Sequence, residues 1–293
     1  MKPVDLALAV LVALAWGLAF VFTKLALATL SPALLLVMRF LVAAMPALFL
    51  QRPAISWTLL AAIGATWFVG QFLFQFIGIR LGVPAGLAAV VVQSQALLTV
   101  ALAVPLAGER PDGRQILAMA AAGLGLAVIA LSAGGSFDLA ALAVLMISPL
   151  SFALGNLLMR RVDRSDMAAL VGWLSLIPPL PGLALALAID GPQELAAQIA
   201  ATPAIGWLSV LYLGLVATMV GYSIWGRLVR SYPAATLAPF PLLVPIIGAA
   251  SSAALLGERF APLQLAGMAL VLLGLAILLV PVTAFGRWPR FTR

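Results

Sequence analysis

One stretch of this chain is written twice. Leu106–Ala127, LAGERPDGRQILAMAAAGLGLA, returns at Leu255–Ala276 as LLGERFAPLQLAGMALVLLGLA with no gap. Gly-Glu-Arg leads both copies, Gln115 answers Gln264, Met119 answers Met268, and Leu124-Gly125-Leu126-Ala127 answers Leu273-Gly274-Leu275-Ala276. At the same spacing Pro84-Ala85 falls on Pro233-Ala234, and Ala89 on Ala238. Two apolar helices joined by a short charged turn have been used twice, so the chain reads as an internal duplication.

The solvent of this fold follows from how the charges are spread. Apolar residues make up 65 % of the chain and charged residues 9 %, against roughly a quarter charged in a soluble domain. The charges cluster between long apolar runs, which points to the lipid bilayer. The net charge of +7 does not point to nucleic acid, because the arginines stand at segment ends and form no basic face. With no cysteine and no histidine, disulfides, thiolate nucleophiles, imidazole bases and most zinc sites are excluded, and no metal or cofactor is expected. The N-terminal apolar run is longer than a signal peptide's core and reads as a retained first helix.

A spanning helix needs about 20 mostly apolar residues. That rule predicts ten: Val4–Ala28, Ala33–Leu50, Trp57–Ile79, Ala85–Ala107, Gln115–Leu131, Leu139–Met159, Ala168–Ile189, Ile205–Val229, Ala234–Leu256 and Pro262–Val280. Numbering the connections alternately places Lys2, Arg52, Arg110, Arg114, Arg160, Arg161, Arg164, Arg227, Arg230, Arg287, Arg290 and Arg293 on one side. Lys24, Arg39, Arg80 and Arg259 fall on the other. Short cytoplasmic loops hold the Lys and Arg, so both termini are expected in the cytoplasm. Each half then has an odd number of helices, and the second must enter the membrane inverted. The expected fold is all-α and polytopic, with two inverted five-helix repeats (residues 1–133 and 138–283) around a central cavity and a basic cytoplasmic tail at 284–293. Inverted repeats are the architecture of alternating-access carriers.

Trp16-Gly17 in the first helix, Arg39-Phe40 in the second, and Gly-Glu-Arg closing the fourth and ninth resemble the EamA family of the drug/metabolite transporter superfamily. The resemblance covers essentially the whole chain and is closest to the YddG-type amino-acid exporters. It implies a bacterial inner-membrane carrier for amino acids or related metabolites, built as a basket of helices with the fifth and tenth at its edge. The second half departs from the first. Phe152-Ala153 stands where Trp16-Gly17 would be expected, and Trp173 near where Arg39 would fall, so the halves are not expected to contribute equally to the site.

Polar side chains in a membrane helix face protein or a watery cavity. Trp16 and Phe20 are four apart in the first helix. Trp67, Gln71 and Gln75 form a line in the third, and Gln93 and Gln95 flank Ser94 in the fourth. Ser148, Phe152 and Asn156 form a second line in the sixth helix, while Thr218, Tyr222 and Trp225 share a face of the eighth. Pro239, Pro241 and Pro245 in the ninth either kink it or free backbone carbonyls that a cavity could use. The amides serve either as glue between helices or as lining. Trp16, Phe20, Gln71, Gln75, Gln93, Gln95, Ser148, Phe152, Asn156, Tyr222, Trp225 and Pro241 are the candidate substrate-cavity residues. Gly123, Gly125, Gly267 and Gly274 are expected to permit close helix packing, and Trp57, Trp207 and Trp288 to mark the interfaces.

Two cations fall within apolar segments. Lys24 reads as snorkelling. Arg39 reads chiefly as structural, paired with a helix C-terminus or with Glu258, the alternative being a substrate carboxylate. All nine carboxylates lie at helix ends or in loops, so the midplane lacks the ionisable relay of a proton-coupled carrier. The expectation is an exporter of small neutral or aromatic amino acids, uncoupled or weakly coupled. A broader metabolite or drug exporter is the alternative. An intramembrane protease would need paired acids or an activated nucleophile that this chain does not supply at depth.

Overall fold

Apolar runs fold as helices because a bilayer leaves no water to satisfy an exposed backbone. This computed structural model describes residues 1–134, 137–162 and 166–279, apart from the side chains of Ala234 and Ala235. All ten expected segments fall on helices: α1 (Pro3–Ala26), α2 (Pro32–Leu48), α3 (Trp57–Arg80), α4 (Ala85–Ala107), α5 (Gly113–Leu131), α6 (Leu139–Met159), α7 (Met167–Ile189), α8 (Ala204–Ser231), α9 (Pro239–Leu256) and α10 (Pro262–Leu279). Among the described residues nine of these are long and apolar enough to cross a membrane. The shorter one, α2, ends in a 3-10 turn at Met45–Leu48, where Pro46 brings no N–H. No strand occurs among the described residues. The chain is a multi-pass, all-helical membrane protein. Arg164, Arg287, Arg290, Arg293, Trp288, Val280 and the tail at 284–293 lie outside the described residues.

Several helices are less regular than their hydropathy predicts. The ninth segment does not start at Ala234: one turn, Ala234–Leu237, stops, and α9 begins at Pro239, whose missing N–H is harmless in a first turn. α7 breaks between Leu174 and Pro179, and α4 breaks at Gln93-Ser94. α3 and α8 each contain a π-helical stretch, Gly64–Gly70 and Tyr212–Val220. A further helix, Gly191–Ala201, fills what reads as a turn. Its Gln198 side chain accepts from the Ser31 N–H at 2.8 Å, and Thr202 bonds Thr29 at 3.0 Å, so it lies over the α1–α2 connection.

Packing pairs α5 with α10, α1 with α9 and α8, α6 with α3 and α4, and α2 with α7. α5 is the most exposed of the spanning helices: 22 % of its most apolar stretch is buried, against 56 % for α3. It meets α10 through glycine. A Cβ at Gly125 would lie 2.7 Å from the Gly267 carbonyl oxygen, and one at Gly274 would lie 2.6 Å from that of Ala118. Gly123 differs from the expectation. A Cβ there meets nothing, because it points away from this seam.

The two Gly-Glu-Arg turns share one local geometry. Gly108 and Gly257 both end their helices at φ 67°, a left-handed conformation that suits glycine. Asp112 N–H donates to the Gln115 side chain at 3.0 Å, and Ala261 N–H to that of Gln264 at 3.0 Å. The glutamates nevertheless do different things. Glu258 accepts from the backbone N–H groups of Ala85 (2.7 Å) and Gly86 (3.0 Å) and from the Ser252 hydroxyl, capping the N-terminus of α4. Glu109 pairs with Arg160 at the surface. Without Glu258 the Gly86 N–H keeps the Ser252 hydroxyl at 3.1 Å, but the Ala85 N–H loses its acceptor, at a cost of about 1–3 kcal/mol. Glu258→Ala is therefore expected to lower the midpoint of thermal unfolding, read by intrinsic fluorescence, while Glu109→Ala, which removes an exposed pair, is expected to change it little.

Candidate functional site

The helices enclose a cavity of about 430 Å³ between the two halves of the chain. Its wall comes from α1, α2, α3, α4, α6, α8 and α9, together with Met167 at the start of α7. α5 and α10 contribute nothing to it. Of the candidate residues, Trp16, Phe20, Gln71, Gln75, Gln93, Gln95, Phe152, Asn156, Tyr222, Trp225 and Pro241 all line this cavity. Ser148 does not. Each four-residue step along a helix rotates a side chain by about 40°, and this carries Ser148 away from Asn156 into packed protein. It is fully buried, and its hydroxyl has no hydrogen-bond partner.

Seven aromatic residues line the cavity. Trp67 and Phe152 stack at 5.0 Å between centroids. Tyr222 lies 5.3 Å from Trp16 and 5.6 Å from Trp67, and Trp225 lies 5.6 Å from Trp16. The N–H edges of two of the indoles are held by neighbouring helices. Trp16 Nε1 donates to the Ala217 carbonyl at 2.8 Å, within the π stretch of α8, and Trp67 Nε1 donates to Asn156 Oδ1 at 2.8 Å. Asn156 Nδ2 in turn donates to Thr99 Oγ1 at 3.1 Å. Indoles fixed at one edge present their faces to the cavity in set orientations.

The break in α4 and the prolines of α9 meet at the opposite wall. Pro245 has no N–H, so the Pro241 carbonyl one turn earlier loses its helical donor. Gln93 Nε2 supplies one at 3.1 Å, and Gln95 Nε2 donates to Gln93 Oε1 at 3.2 Å. Two acceptors in the lining residues stay unpartnered, Gln71 Oε1 and Gln95 Oε1.

Arg39 is the single charged residue in the lining. It is 3 % exposed and does not pair with Glu258, which is occupied at the α4 N-terminus. Its guanidinium lies 3.8 Å over the Phe72 ring, and Nε and Nη2 donate to Thr218 Oγ1 at 3.3 and 3.1 Å. Phe72 and Thr99 gave no signal at the sequence level, since their partners sit on other helices. Lys24, in contrast to a snorkelling reading, reaches the Ile79 carbonyl at the end of α3 (3.4 Å), while Arg80 reaches the Leu27 carbonyl at the end of α1. No group of His, Cys, Asp and Glu able to hold a metal occurs among the described residues.

Comparison with known proteins follows the same outline. The sequence profile of the EamA-like transporter family matches residues 5–131 and 139–280. The chain belongs to the EamA-like transporter family. A Salmonella typhimurium protein named "Probable amino-acid metabolite efflux pump" is 39 % identical over 277 residues, 92 % of this chain and 93 % of that protein. An Escherichia coli protein of the same name is 37 % identical over 284 residues, 94 % and 95 % of the two chains. A crystal structure with 17 % identity superposes at a TM-score of 0.58 over 95 % of this chain and 97 % of its own, which shows a shared fold. This EamA-family chain is thus a membrane transporter rather than an enzyme.

Proposed function

We propose that this transporter exports small neutral and aromatic amino acids across the bacterial inner membrane by alternating access, uncoupled or weakly coupled to protons, with both termini in the cytoplasm. The observation that carries the reading is the cavity wall: indole and phenol rings, amide side chains and no carboxylate. Such a lining suits a zwitterion with an apolar side chain. Phosphorylated cargo would call for clustered Arg and Lys. The names of the Salmonella and E. coli relatives support the same class of cargo.

Several features support two inverted five-helix repeats. The family profile matches two stretches of similar length. The π stretch of α8 falls on that of α3 at the spacing that separates the two Gly-Glu-Arg turns. Exchanging the halves turns the Gly125–Gly267 approach into Gly274–Ala118, and turns the α1–α9 pairing into α6–α4. For alternating access, the support is the difference between the two ends. One is stitched by Glu258, Lys24 and Arg80. At the other, the lining reaches Met159, Met167 and Val229, beside the arginine-rich connections.

Purified protein in liposomes is expected to give saturable uptake of radiolabelled phenylalanine or leucine and counterflow when preloaded. No amino-acid flux, with flux of purines or lipophilic cations instead, would replace this reading with the broader exporter. A pH gradient alone is expected to drive no uphill accumulation, because the lining contains neither carboxylate nor histidine to carry a proton. Accumulation under that gradient would overturn the uncoupled mechanism.

A further inference from the structure

We propose that Arg39 is the carboxylate anchor of the cavity. The inference rests on the amino-acid reading above and names the group that selects the carboxylate end. A buried cation inside a membrane helix bundle is expensive and ordinarily has a partner. Arg39 has no ion-pair partner among the described residues. Its Nε and Nη2 share one hydroxyl, Thr218 Oγ1, which spends its own proton on the Leu213 carbonyl at 2.7 Å. Nη1 makes no hydrogen bond to the protein and is not enclosed by it, and the residue lines the cavity. Guanidinium donors match a carboxylate in geometry and charge.

With no acid in the lining, an amine lacking a carboxylate meets an uncompensated cation, whereas a carboxylate neutralises it.

The test uses the full chain, purified in detergent, with three probes that differ only at the ends: L-phenylalanine, its deaminated acid 3-phenylpropionate and its decarboxylated amine 2-phenylethylamine. Binding is read by competition against radiolabelled L-phenylalanine or, where that does not bind, by thermal stabilisation. Arg39→Gln is expected to weaken L-phenylalanine and 3-phenylpropionate by roughly tenfold or more, the scale of a charge-assisted hydrogen bond, and to leave 2-phenylethylamine unchanged or bound more tightly, since a like charge is removed. Arg39→Lys, which keeps the charge and loses the fork, is expected to recover part of the loss. Retained amine binding reports an intact Arg39→Gln cavity. Equal loss of all three probes, or of none, overturns the anchor. Arg39-dependent binding of the acid by a protein that takes no amino acid keeps the anchor and overturns the amino-acid reading. Amino-acid flux indifferent to Arg39→Gln does the opposite.

Discussion

Trp16→Ala is expected to cut saturable amino-acid uptake into liposomes by about tenfold or more without preventing the protein from folding. The indole is half-buried, with its Nε1 tied to the Ala217 carbonyl and its ring against Tyr222 and Trp225. Truncation removes a stacking face from the ligand, an aromatic contact contributing about 0.5–1.5 kcal/mol beyond burial, together with the apolar area the indole would cover, at about 25 cal/mol per Å². The two together approach or exceed the 1.4 kcal/mol that separates tenfold steps in affinity. Trp16→Phe keeps a smaller ring and loses the N–H and part of the stacking face, so an intermediate flux is expected. Uptake unchanged by Trp16→Ala would leave a carrier whose site is moved towards Gln71, Gln75 and Tyr222.

Gly125→Val is expected to lower the unfolding midpoint by several degrees and to reduce the amount of protein recovered from the membrane. Its Cβ would stand 2.7 Å from both the Gly267 carbonyl oxygen and the Val271 nitrogen. Both are backbone atoms, so neither can rotate aside, and α5 would have to withdraw from α10. Overpacking of this kind typically costs about 1–3 kcal/mol. In lipid no hydrophobic force pulls the helices back together, since their association depends on close packing. Gly123→Ala, two residues away with open space around it, is expected to be neutral or stabilising, since alanine is the better helix former. Similar losses in both variants, measured side by side by thermal unfolding, would show that the seam does not set the effect.

Much of the helical framework was legible from residue order because lipid demands long apolar runs and leaves turns to the charged residues. The matching Gly-Glu-Arg turns were visible for the same reason: a left-handed glycine and a capping side chain are local events. The Pro245–Pro241–Gln93 contact was half visible, since the missing N–H is written in the sequence but the amide that replaces it comes from another helix. What remained hidden was set by tertiary contact or by one extra residue in a helical turn. Nothing in GATWFVG or YLGLVATMV announces a π stretch, and Gly191–Ala201 carries too few apolar residues to stand out. Ser148 failed because a four-residue line drifts round its helix. Arg39 was legible as unusual, but its seat over Phe72, away from Glu258, depends on how α2 meets α3 and α8.

The single charge in the cavity wall has an electrical consequence. A transmembrane potential of 100 mV is worth about 2.3 kcal/mol per elementary charge moved across it. A zwitterion carries no net charge, and the wall supplies no carboxylate whose proton could travel with it. One crossing of such a cargo therefore does no electrical work, and the membrane voltage neither assists nor opposes it. On the proposed reading, the direction of net movement then follows the ratio of substrate concentrations on the two sides, and a cell would empty itself only of what it has accumulated.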